Sequence, residues 1–169
     1  LRRESKPMEA SRLLLQALRD HPHMGSMHAE LGMTLFSLGL MERSAEALER
    51  AVRLEPNVIR YQINLSGMYH HLGRYTERIA LGLRVLEHDP SCGLVHINLG
   101  LSYSSLGHWA KSIEHFEGAR EALPEHGGAW LNLGLGYENR CADVQANRCF
   151  KQAVRIEPEN LKAWICLAT

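Results

Sequence analysis

The chain has little of what marks a membrane span, a nucleic-acid reader or an enzyme. Charge of neither sign prevails: Lys plus Arg and Asp plus Glu stand at 19 each in 169 residues, scattered along the chain. No basic stripe is there to neutralise phosphates, so nucleic acid is not an expected partner. No apolar run approaches the roughly 20 residues that cross a bilayer, and no charged-then-apolar leader stands at Leu1, so no membrane insertion is expected. The four cysteines, Cys92, Cys141, Cys149 and Cys166, form no CxxC pair and no metal-finger spacing. They read as reduced thiols and point to the cytoplasm.

Chemistry-bearing patterns are equally sparse. No phosphate-cradling or dinucleotide glycine motif is present, and Ser102, Ser104 and Ser105 have no evident base beside them. No catalytic residue and no cofactor is expected. Ten histidines raise the question of a metal, but His70 and His71 are consecutive and project about 100° apart on a helix. His21 and His23 flank Pro22, His88 precedes Pro90, and His28 and His96 read as packed, partly aromatic side chains. No metal site is expected from them.

What the chain does have is a period. Five of its six prolines, Pro22, Pro56, Pro90, Pro124 and Pro158, stand 34 residues apart, the mark of a repeat array. Numbering each unit from residue 25, position 4 reads His28, Gln62, His96, Trp130 and Trp164. Position 7 is always leucine (Leu31, Leu65, Leu99, Leu133, Leu167), position 8 is small, and position 11 is Leu35, Tyr69, Tyr103 and Tyr137. Position 15 is Gly39, Gly73, Gly107 and then Cys141, and no insertion disturbs the register.

Positions 4, 7, 8 and 11 share one helical face, so each unit opens with an amphipathic helix. A glycine able to turn left-handed ends it. Positions 20, 24 and 27, as in Ser112, Phe116 and Ala119, repeat the spacing in a second helix, which the proline stops. Each unit is a helical hairpin, and the class is all-α.

The run Trp130-x-x-Leu133-Gly134-x-x-Tyr137, followed by Ala146, Phe150, Ala153 and Pro158, resembles the tetratricopeptide repeat (TPR), over nearly the whole chain. The resemblance implies a right-handed superhelical solenoid with a concave groove lined by first helices. Its expected divisions are a second helix within 1–24, full repeats at 25–58, 59–92, 93–126 and 127–160, and a first helix within 161–169. With a half-hairpin at each end, the chain reads as an excerpt of a longer protein.

The expected binding face follows from the register. Position 6 carries Asn64, Asn98 and Asn132 in three successive units and lies about 150° from the mean direction of the core positions. An amide offers donors and an acceptor together, so a row of them can hold an extended peptide by its backbone. Such a row resembles the asparagine ladder of some superhelical members of the family; the competing reading is that asparagine is simply common at this position. Arg60, His71, Leu101, Leu135 and Asn139 share that side. A clamp for a terminal carboxylate would need clustered cations, and Arg60 and Lys162 are three units apart.

Two local departures stand out. Arg78 replaces a small residue at position 20 while Gly82 replaces a large one at position 24, which suggests an arginine stem lying along the surface. Arg140, Cys141 and Asp143 replace the usual turn residues, which suggests an irregular turn. The function expected is a non-catalytic protein-interaction scaffold holding an extended peptide or partner segment in its groove. The alternatives are a substrate-selecting accessory region of a larger enzyme, such as a glycosyltransferase, and self-association through Trp164, Leu167 and Ala168.

Overall fold

The structure, a computed structural model, describes residues 2–168, with side chains described from Lys6 onward. It shows ten α-helices and, among the described residues, no strand: α1 (Arg2–Asp20), α2 (Gly25–Ser37), α3 (Met41–Leu54), α4 (Ile59–His71), α5 (Tyr75–His88), α6 (Gly93–Ser105), α7 (Trp109–Ala122), α8 (Gly127–Glu138), α9 (Asp143–Ile156) and α10 (Leu161–Ala168). They form two compact units, the first ending at Arg74 and the second beginning at Tyr75. In the first, α2 packs on α1 and α3, and α3 on α4. In the second, neighbours pack pairwise from α5 through to α10.

Inside a hairpin the helices meet by a knob over a gap. Position 8 is Gly32, Gly100 or Gly134, and a Cβ there would run into Leu48, Phe116 or Phe150 at position 24 of the facing helix. These three side chains are buried, as are Ala51, Ala119 and Ala153 one turn further on. Close approach of backbones at a glycine, filled by one large side chain, reaches interior packing density with little else. Ser44 adds a buried hydrogen bond across its hairpin, donating to the Gly32 carbonyl at 2.7 Å.

The corresponding register positions of α4 and α5 carry Ser66 and Gly82, and the boundary between the two units falls between these helices. Gly82 instead faces α6: a Cβ on it would stand 2.9 Å from Leu99 Cδ2. This close approach corrects the surface placement expected for Arg78. Only 6% exposed, its guanidinium donates from Nη2 to Asn98 Oδ1 at 2.7 Å and from Nη1 to Ser102 Oγ at 3.3 Å. Burial lowers its pKa from the ordinary arginine value, against a smaller opposite effect of Tyr75, and an arginine so placed stays charged.

The turn between the hairpin helices is also more uniform than the sequence suggests. Gly39, Gly73 and Gly107 have φ of 75°, 67° and 75°. The next residue donates to the carbonyl five positions back: Leu40 to Leu35, Arg74 to Tyr69 and His108 to Tyr103, at 3.0, 2.8 and 2.8 Å. That is the bond which satisfies a helix's last free carbonyls. Cys141 takes φ 55° and Ala142 donates to Tyr137 at 3.0 Å, so the turn expected to be irregular is the same turn. The demand for a left-handed residue outweighs the side chain's preference, at a cost on the order of 1 kcal/mol for a non-glycine residue. Cys141→Gly should therefore raise unfolding stability by up to about 1 kcal/mol and Gly107→Ala lower it by a similar amount, measured by chemical denaturation.

Candidate functional site

The first helices begin where a recurring side-chain bond places them. His28 Nε2, Gln62 Nε2, His96 Nε2, Trp130 Nε1 and Trp164 Nε1 each donate to the carbonyl of the proline six residues earlier, at 3.0, 2.6, 3.0, 2.8 and 2.8 Å. A carbonyl only accepts, so both histidines carry their proton on Nε2 here. The His96 ring also packs on His115, centroids 5.3 Å apart, and the bond adds a second role: His, Gln and Trp are exchangeable at position 4 because each sets an N–H at the same reach. The signal was in the sequence, since every residue at that position has a side-chain N–H donor.

Large apolar side chains remain in water on three of the first helices. They are Met33 on α2, Ile59 and Ile63 on α4, and Leu94 on α6, with Ile63 61% and Leu94 59% exposed. They fall at register positions 9, 1, 5 and 2. Leu161, Trp164 and Ile165 are exposed on α10.

The residues singled out from the sequence are dispersed. Asn64, in the first unit, is half-buried. Asn98 and Asn132, in the second, are half-buried on α6 and α8, which touch. Asn98 accepts from Arg78 through Oδ1. Arg60 is exposed, its guanidinium 5.8 Å from the centre of the Tyr61 ring. His71 is exposed with its ring 5.6 Å from that of Phe36. Leu101 packs against the buried cluster of Ile113, Phe116, Leu133 and Cys149, and Leu135 against the one that holds Leu131, Phe150 and Ala153, so both are shared with the core. Asn139 caps its own helix, Nδ2 donating to the Leu135 carbonyl at 2.8 Å.

Position 11 adds a second recurring contact. Tyr69 donates to Glu49 at 3.1 Å and Tyr137 to Glu117 at 2.6 Å, the acceptor lying 20 residues earlier in both cases. The bond to the Glu117 carboxylate, then burial, push the Tyr137 phenol up to about 12. The residue 20 before Tyr103 is Leu83, and the Tyr103 ring stacks instead on His115, centroids 5.4 Å apart. Among the described residues no helix is long and apolar enough to cross a membrane, and no group of three or more His, Cys, Asp and Glu is placed to hold a metal ion.

A family model described as the tetratricopeptide repeat matches residues 1–59, 42–91 and 97–139. No curated protein matches. Among solved structures, a crystal structure of MamA is similar with a TM-score of 0.82 at 24% identity, covering 95% of this chain and 94% of that one. YrrB, described as a TPR protein with an unusual peptide-binding site, has a TM-score of 0.84 at 16% identity, covering 98% and 85%. MamA of Desulfovibrio magneticus RS-1 has a TM-score of 0.80 at 21% identity, covering 94% and 89%. These likenesses show the fold.

Trp130→Phe keeps the ring and deletes the donor to Pro124. It should lower unfolding stability by about 1 kcal/mol, measured by denaturant unfolding against Trp109→Phe, a tryptophan at another register position.

Proposed function

We propose that this chain, which belongs to the tetratricopeptide repeat family, is a protein-interaction scaffold that receives extended peptide segments on the first helices of its hairpins. The observation that carries the reading is the exposure of Ile59, Ile63 and Leu94 on first helices, Ile59 and Ile63 on α4 and Leu94 on α6. Each offers on the order of 2 kcal/mol of burial to a partner that covers it. An extended segment suits such a surface because its own amides and carbonyls are unpaired and need donors and acceptors when bound.

The asparagines belong to the same reading. Asn64 and Asn132 would pair with a peptide's backbone, a contact indifferent to the peptide's side chains. Asn98 takes part differently: the bond from Arg78 engages its oxygen and leaves the amide nitrogen as the donor for a peptide carbonyl. Specificity then rests with the apolar side chains beside the amides. The printed description of YrrB as a TPR protein with a peptide-binding site is in keeping with this use of the fold.

Peptides selected from a displayed random library against the full chain provide the test. Peptides held by the first unit should be weakened by Ile63→Asp, and peptides held by the second by Leu94→Asp, in each case by about tenfold or more, roughly 1.4 kcal/mol. Val144→Asp, on the second helix α9 and 65% exposed, should leave affinity within about twofold. Calorimetry reads the affinities and circular dichroism checks the helices. Loss on Val144→Asp with indifference to both first-helix changes would place binding on the other face and sink the proposal.

A further inference from the structure

In the 93–126 repeat the position-4 bond has a consequence that its sister repeats do not share. His96 Nε2 donates to the Pro90 carbonyl at 3.0 Å, which leaves the lone pair of the other ring nitrogen, Nδ1, pointing away from that carbonyl. Facing it on α7 is His115, with 3.2 Å between the two Nδ1 atoms and 5.3 Å between ring centres. We propose that His96 and His115 are the two protein ligands of a divalent transition-metal site between α6 and α7, its remaining coordination positions filled by water.

The spacing fits an ion. Two imidazole nitrogens on one tetrahedral zinc, each about 2.0–2.1 Å from it, stand about 3.3 Å apart, close to the 3.2 Å seen here. A ring nitrogen anchored on a backbone carbonyl, fixing the orientation and tautomer of the ligating nitrogen, is the usual outer support of a metal-bound histidine. Gly118 lets the His96 ring come close to α7 and so face His115: a Cβ on it would stand 2.7 Å from Nδ1.

The proton balance is simple. The pair can be bridged by the Nδ1 proton of His115 or by a cation. For the cation, His115 moves that proton to its own Nε2, both rings bind as neutral imidazoles, and no proton is released. Lys111 is held over the Tyr103 ring at 5.3 Å and opposes a dication, while Glu114 favours one.

The arrangement is particular to this repeat. His28 occupies the same register position in the 25–58 repeat, but the residue corresponding to His115 there is Ala47. Imidazole ligands suit copper, nickel and zinc, and for a given site Cu2+ binds more tightly than either of the others.

The experiment titrates the full chain, free of any affinity tag, with ZnCl2 and with CuCl2 at neutral pH. Calorimetry reads affinity and stoichiometry, and the ring proton resonances of the histidines report which rings respond to Zn2+. The expected result is saturable binding of one ion per chain, tighter for Cu2+, with shifts at His96 and His115. His96→Gln preserves the bond to Pro90, since Gln62 makes the same bond to Pro56, and should weaken binding at least tenfold, as should His115→Gln. His28→Gln should leave it unchanged. Absence of saturable binding by either metal, or a loss on His28→Gln as large as that on His96→Gln, would overturn the assignment.

Discussion

The bond from the position-4 side chain to the preceding proline carbonyl is the constraint from which the rest of the structure follows. A proline ends each second helix and leaves its own carbonyl outside any helical ladder. The first helix of the next hairpin reaches back six residues and takes that carbonyl, in five places and with three residue types. One net hydrogen bond of about 1 kcal/mol is small beside the burial of Phe116 or Phe150. Its importance is geometric, because it fixes where a first helix starts and therefore which of its residues meet the hairpin and which meet water. In an array whose stability is a sum over units and their interfaces, an error in one such turn has no central core to correct it.

Much of this could be read from the chain itself. The period, the two helices per unit and the left-handed turn follow from Leu31, Gly39, Ala51 and their successors, because backbone and burial demands recur wherever the register does. Arg78 was misread because its position depends on a missing side chain: Gly82 lets α6 approach and enclose the guanidinium, and no helical wheel shows what a neighbouring helix will cover. Cys141 was misread for the opposite reason. The turn's geometry is set by Tyr137 and Ala142 bonding across it, whatever side chain sits between them.

The candidate site was legible only as a set of directions. Register separates the outward residues Ile63 and Leu94 from the core, but it could not show that Leu101 and Leu135 lean into core clusters or that Asn98 shares its amide with an arginine. His96 and His115 lie 19 residues apart on different helices, and their facing nitrogens depend on the proline bond and on Gly118 together. Such pairings come from tertiary contact, and composition carries no trace of them.

The central claim is that partners lie along the first helices. Hydrogen–deuterium exchange of the full chain, with and without a saturating library-selected peptide, tests it without altering the protein. The account predicts slower exchange concentrated in the first helices of the unit that holds the peptide, α4 in the first or α6 and α8 in the second, with α3, α7 and α9 little changed. Protection concentrated in the second helices, with α4, α6 and α8 unaffected, would contradict it.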